Sequence, residues 1–305
     1  MASVTLAESA KLSQDDLVTG IIEDVITVNR FFEVIPFDGI EGNALAYNRE
    51  NVLGDVDVEG VGDTIGSKAA ATFTQVTSGL TTIIGDAEVN GLIQATRSAK
   101  NDQTAVQIGS KAKSSGRKYQ DMLITGTGAS NQFTGLITLC VAGQTVATGT
   151  NGSPLSFTIM DEVLDTVTDK DGEVDYLTMH ARTIRSYKAL LRALGGASIS
   201  EVVTLPSGKQ IPSYNGVPIF RNDYIPIDQT KGSGTALTTI FAGTLDDGSR
   251  SHGIAGLTAS NNAGIQVVDV GESETKDERI WRVKWYCGLA LFSEKGIACS
   301  TGITN

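Results

Sequence analysis

The chain is poor in the residues that carry covalent and metal chemistry, with 3 cysteines and 2 histidines in 305 residues. Cys140, Cys287 and Cys299 are too few and too scattered for a disulfide framework or a metal cluster. His180 and His252 form no H-x-x-x-H pair, and no cysteine stands at ligand spacing from either. Proline is scarce (6) and aromatics make up 6%, against 34 glycines, so many turns and strands with lean packing are expected. No run approaches the ~20 apolar residues of a membrane span, and no basic-then-apolar leader opens the chain. The sequence therefore predicts a soluble protein of a reducing compartment, with no membrane partner. A formal net charge of -11 favours solubility and argues against a dedicated nucleic-acid reader.

Catalytic and cofactor motifs are missing as well. Gly126-Thr-Gly128-Ala-Ser-Asn131 starts like a dinucleotide fingerprint, but Asn131 stands where the third glycine belongs and a helix precedes it. Asp169-Lys-Asp171-Gly172-Glu-Val-Asp175 fails the calcium-loop register, since Gly172 at the sixth place puts Val167 first and Thr178 twelfth. It reads as an acidic turn between helix and strand. Neither a phosphate loop nor a G-x-S-x-G elbow occurs. His180 reads as a packed structural residue and His252 as an exposed loop residue. The expectation is a protein that is not an enzyme and holds no cofactor or metal.

What is present is a series of long, thinly apolar elements. Asp102 can cap a helix running to about Ile124, with Ala105, Ile108, Ala112, Ser115, Tyr119 and Met122 at three- and four-residue steps. About 22 helical residues span roughly 33 Å. The stripe is narrow, which predicts a strut laid across a sheet rather than a core helix, with Gly109 and Gly116 allowing close approach. Between Arg97 and Lys118 stand Arg97, Lys100, Lys111, Lys113, Arg117 and Lys118 against Asp102 alone. Before this helix, Ile40 to about Ile84 reads as a polar, Gly-interrupted hairpin: Asn43–Glu50, partial alternation over Val56–Val61, and Ala71–Thr77. Such strands cannot build a core of their own, so a projecting hairpin serving a partner is expected.

A flexible arm over 1–12 and a helix from Ser13 to about Asn29 precede the hairpin. After the strut come a short apolar strand at Leu136–Val141 and helices over Ser156–Thr168 and Ala181–Leu194, the second stopped by Gly195-Gly196. Strands at Val174–His180, Val202–Leu205, Gln210–Ile211, Gly216–Phe220 and Thr238–Gly243 complete a compact α+β section. Ile265–Val270 and Arg279–Leu291 are long β runs, the latter alternating Val283, Trp285, Cys287, Leu289 and Leu291 with smaller or polar residues. At ~3.3 Å per residue this strand is long enough to back the strut helix.

That order of parts resembles the Hong Kong 97-type major capsid proteins of tailed bacteriophages. Three phrases carry the likeness locally: Tyr214-Asn-Gly-Val-Pro218-Ile-Phe-Arg-Asn, Thr239-Ile-Phe-Ala-Gly243 before Asp246-Asp-Gly, and Glu278-Arg-Ile-Trp-Arg-Val-Lys-Trp-Tyr-Cys-Gly. The resemblance implies an α+β Hong Kong 97-like capsid fold. Its parts would be an N-terminal arm and helix (1–37), an extended β-hairpin loop (38–88), a peripheral domain with a spine helix (89–130 and 260–305) and an axial domain (131–259). It implies a structural protein of the virion, assembled in the host cytoplasm as hexamers and pentamers of an icosahedral head around double-stranded DNA. Partners would be further copies of itself, separate scaffolding, portal and decoration proteins, and packaged DNA touched without sequence specificity. Met1–Lys11 leaves no room for a fused scaffolding segment. Lys68, alone among lysines in Ile40–Ile84, carries no mark of cross-linking chemistry. Candidate inter-subunit contacts are Arg49, Glu50, Asp55, Asp57 and Glu59 on the loop, facing Lys111, Lys113, Arg117 and Lys118 on a neighbour's spine helix. Two alternatives remain open: an encapsulin-type nanocompartment shell, and a soluble α+β hydrolase or binding protein with an unrecognised site.

Overall fold

The computed structural model describes residues 30–64, 66, 69–97, 102–169, 172–194, 202–205 and 208–304. The expected arm and first helix, Lys68, Lys170-Asp171, Gly195-Gly196 and Pro206-Ser207 lie outside these residues. In chain order the strands are β1 (Phe37–Ile40), β2 (Ala44–Val52), β3 (Thr72–Gly79) and β4 (Thr81–Asn90), followed by helices α1 (Gly91–Arg97) and α2 (Gln103–Thr125). Next come α3 (Leu136–Leu139), β5 (Thr145–Ala147), β6 (Ser153–Pro154), α4 (Phe157–Thr168), β7 (Tyr176–Met179) and α5 (Ala181–Ala193). The rest is β: β8 (Val202–Thr204), β9 (Gln210–Tyr214), β10 (Val217–Arg221), β11 (Gln229–Lys231), β12 (Gly234–Gly243), β13 (Ile254–Ala259), β14 (Gln266–Glu272), β15 (Glu278–Leu291) and β16 (Ile297–Thr304).

Two compact units divide these elements. The larger is Asn29–Ile83, Arg117–Gly264 and Trp285–Asn305; the smaller takes in Ile84–Gly116 and Ile265–Lys284. The larger unit carries a 9-stranded sheet in the order β5-β16-β12-β7-β10-β9-β8, with β6 on β16 and β11 on β12. β12 lies antiparallel to both β7 and β16, Phe241 facing Thr178 on one side and Cys299 on the other. Ser156 caps α4 by accepting from the Ile159 amide at 3.2 Å. Met160, Val163, Leu164 and Val167 of that helix pack with Ile240, Ala242 and Ala298 of the sheet. On the same unit, β13 pairs antiparallel with the end of β15 from Cys287 to Leu291, and β1 lies parallel on β13.

Several expectations need correction. Leu136–Val141 is not a strand: Leu136–Leu139 is a helical turn, followed by a 3-10 turn at Ala142–Gln144. A four- to six-residue apolar run without alternation suits either structure, and tertiary packing decided it. β4 was not foreseen. Its Ile83, Ala87 and Val89 are buried at two- and four-residue steps and it pairs with β15, so the hairpin proper ends at Gly79. β16 hydrogen-bonds β12 inside the nine-stranded sheet. Val56–Val61 forms no strand. The long helix is as expected in extent, Asp102 accepting from the Thr104 and Ala105 amides at 3.0 and 3.4 Å. Its second half, however, is a core helix: Tyr119, Met122, Leu123 and Ile124 are buried. A Cβ at Gly109 or Gly116 would meet nothing within 4 Å, so neither glycine serves a close approach among the described residues.

Candidate functional site

The hairpin is built in two parts with opposite character. β2 and β3 run antiparallel from Ala44 opposite Gly79 to Val52 opposite Thr72, with an irregularity in register between Glu50 and Val52. At the root, Leu45, Tyr47 and Leu80 pack on the buried cluster of Ile40, Ala255, Leu257, Ala290 and Phe292. The Tyr47 hydroxyl donates to the Leu291 carbonyl at 2.7 Å, and its ring stands 5.3 Å from that of Phe292. Arg49 lies over the Tyr47 ring and donates through Nε to the Phe292 carbonyl at 3.0 Å. Its two terminal nitrogens reach the Leu291 carbonyl and Glu294. This arginine was expected to meet a neighbouring subunit. Within its own chain it makes all of these bonds together, because a guanidinium has enough donors to bind two strand-end carbonyls and a carboxylate at once.

Among the described residues between Val52 and Thr72 the ribbon has no ladder. Its carboxylates organise the loop: Asp57 accepts from the Val58 amide at 2.8 Å, Glu59 from Gly66 at 3.0 Å, and Asp63 from Gly60 at 2.9 Å. Asp55 closes the neck through its amide to the Ala69 carbonyl at 3.0 Å. The apolar residues there face outward. Val58 is 95% and Val61 110% exposed, and Val52, Leu53, Val56 and Phe73 are exposed with them. Glu50, Asp55, Asp57 and Glu59 are likewise exposed.

On the long helix, Lys111, Lys113 and Lys118 are exposed and Arg117 is half-buried. Lys118 pairs with Asp121 at 3.0 Å. The stem of Lys111 passes 3.6 Å from the Cβ position of Gly85, next to Asp86. Asp86 forms a two-bond pair with Arg282 at 2.8 Å, and that hydrogen bonding, aided by the charges of Arg282 and Lys111, holds its carboxyl below the usual range. The helix then seals into aromatic packing: Tyr119 lies 4.7 Å from Trp285 and 5.3 Å from Phe133, and its hydroxyl donates to the Gly288 carbonyl at 3.2 Å. Through Tyr119, the C-terminal half of the helix meets the C-terminal part of the long strand.

A second cationic surface escaped the sequence reading. α5 carries Arg182, Arg185, Lys188 and Arg192 with no carboxylate in its 13 residues, and Arg185, Lys188 and Arg192 are exposed at helical spacing. The signal was visible as an acid-free helix.

The residues weighed for chemistry have structural duties. His180 caps α5, its Nδ1 accepting from the Arg182 amide at 3.0 Å, and burial holds its pKa below the ordinary value despite Asp223 at 3.9 Å. The His252 Nδ1 lies 2.8 Å from the Ser251 hydroxyl. Asp175 accepts from the Leu245 amide at 2.7 Å. Gly126 ends the long helix, where a Cβ would stand 2.3 Å from the Phe133 carbonyl, so the glycine-rich stretch is a tight helix stop rather than a phosphate cradle. Among the described residues, no group of three or more His, Cys, Asp or Glu could hold a metal, and no helix is long and apolar enough to cross a membrane.

No protein-family model matches the chain, and no curated protein matches it. Solved structures do. An encapsulin complex from Synechococcus elongatus PCC 7942 superposes with a TM-score of 0.75 at 18% identity, over 99% of this chain and 96% of that one. The capsid of a native GTA particle matches with a TM-score of 0.71 at 14% identity, over 100% of both chains. The capsid of Myoviridae phage XM1 matches with a TM-score of 0.66 at 12% identity, over 99% of this chain and 100% of that one. The fold is the α+β Hong Kong 97-type fold of phage capsids and encapsulins, across the whole chain.

Proposed function

We propose that a protein with this fold, and with a ribbon pinned at its root but uncovered beyond it, is a structural major capsid protein. Copies assemble as hexamers and pentamers into the icosahedral head of a tailed phage around double-stranded DNA. The observation that carries this reading is the exposed apolar set Val52, Leu53, Val56, Val58, Val61 and Phe73. A lone soluble molecule does not hold six such side chains in water without something to lie against, and closed symmetry supplies identical neighbours.

In this reading Glu50, Asp55, Asp57 and Glu59 approach Lys111, Lys113, Arg117 and Lys118 of an adjoining copy. Each exposed pair contributes only ~0–1 kcal/mol, so apolar cover rather than charge does most of the work. Arg49 is left out of that set. Scaffolding, portal and decoration proteins are further partners, the host cytoplasm is the place of assembly, and the cationic faces touch packaged DNA through phosphates without reading bases. No chemical step is assigned to the chain.

The match to an encapsulin favours one second reading, a shell enclosing protein cargo. Negative-stain imaging of the purified protein tests the common ground: shells or rings are expected, and a lone monomer at assembly concentrations would overturn both readings. Nuclease-protected DNA inside native particles selects the phage head; a co-purifying enzyme selects the compartment.

A further inference from the structure

Two of the three cysteines, remote in sequence, meet around one hydroxyl. β16 runs parallel to β5 with Cys299 opposite Thr145, and the Cys299 sulfur lies 3.5 Å from the Thr145 hydroxyl. The 3-10 turn at Ala142–Gln144 folds the chain back, so the Cys140 sulfur stands 3.8 Å from that same hydroxyl and 3.5 Å from the Gln144 carbonyl. Cys299 is buried, whereas Cys140 is partly open to solvent beside exposed Val141. We propose that Cys140 and Cys299 are a modification site, a thiol pair that closes to an intramolecular disulfide when a peroxide reaches it.

The chemistry balances with a peroxide as oxidant. One sulfur attacks a peroxide oxygen, the O–O bond breaks, and a sulfenic acid and one water result. The second sulfur displaces hydroxide from the first, forming the S–S bond and a second water. Two thiols lose two electrons and two protons, and one peroxide becomes two waters. The pair is set up for this. A hydrogen bond between the two sulfurs raises the pKa of Cys140 and lowers that of Cys299, aided at Cys299 by the Thr145 hydroxyl. Of the two, Cys299 is thus the sulfur shifted toward the thiolate, the reactive form. Among the described residues Cys287 has no such sulfur partner, and burial pushes it up to about 12, which makes it the internal control. This goes beyond the shell reading and does not depend on it.

The test treats the purified full chain with hydrogen peroxide, blocks remaining thiols with an alkylating agent, and maps peptides by mass spectrometry. The expected result is a Cys140–Cys299 linked peptide, loss of the mass of two hydrogens, one alkylated cysteine (Cys287), and a thermal midpoint raised by roughly 5–10 °C that dithiothreitol reverses. Cys140→Ser should abolish all of these while leaving the untreated midpoint nearly unchanged, since Cys140 is only partly buried. Should Cys140→Ser fold poorly, the wild-type peptide map decides alone. Three alkylated cysteines after oxidation, a link through Cys287, a covalent dimer, or a sulfinic acid at Cys140 would each overturn the proposal.

Discussion

The nine-stranded sheet and the far half of the ribbon use much the same β-branched alphabet, and one is buried where the other is bare. In β12, the run from Leu237 to Gly243 is buried on both faces, because β7 and β16 flank it and α4 lies over it. In the ribbon, Val56, Val58 and Val61 have no flanking strand and no covering helix among the described residues, and their backbone leaves the ladder. Hydrophobicity alone therefore does not separate a core from a contact surface. What separates them is whether the same chain supplies the second layer. The sheet is complete as one molecule. The ribbon is not.

That contrast can be broken by substitution, and the expected effects on folding fall in order. Phe241→Ala in β12 should cost about 3–5 kcal/mol, the usual penalty for emptying a fully buried aromatic site, read as a lower urea midpoint; a loss under ~1 kcal/mol would place the core elsewhere. Arg49→Met, at the ribbon's root, should cost about 1–3 kcal/mol by leaving the Phe292 carbonyl short of a donor and Glu294 without its partner, while the Leu291 carbonyl keeps Tyr47. It should also free the ribbon, seen as faster hydrogen exchange over Ala44–Val52.

His180 has a folded pKa depressed by burial, so the unfolded chain binds the extra proton first as pH falls. Stability is therefore full above the unfolded value near 6.5 and declines as pH drops from there through the folded pKa. His180→Asn, which keeps a capping side chain, should flatten that decline in a series of thermal midpoints between neutral and mildly acid pH. The smallest effect on folding, within ~0.5 kcal/mol, is expected for Val58→Asp with Val61→Asp, yet these two should abolish shells by electron microscopy. Shells that form normally would mean the tip is not an interface.

Legibility followed the range of the interactions. Asp102 was readable because a cap needs only the amides two and three residues on. β15 was readable because Val283, Trp285 and Cys287 alternate with half-buried neighbours over a long stretch. β4 was missed because Gly85 interrupts its buried alternation, and its burial depends on a partner nearly two hundred residues away, as Arg282 and Asp86 show. The commitment of Arg49 to Leu291 and Phe292 and the meeting of Cys140 with Cys299 are likewise long-range, and no local pattern announces them. The ribbon itself was foreseen as an element that could not fold on its own resources; the loop-organising duty of Glu59 and Asp63 was not.

Tyr47 and Arg49 make the ribbon a cantilever. Its clamp grips the last residues of the longest strand, and the register irregularity between Glu50 and Val52 sits one step outboard of the grip. A load applied at the tip would then be taken up as bending at that joint, while the aim of the inner segment stays fixed by the clamp. In the proposed shell, identical copies would thereby meet neighbours at slightly different inclinations without disturbing the body to which each ribbon is bolted.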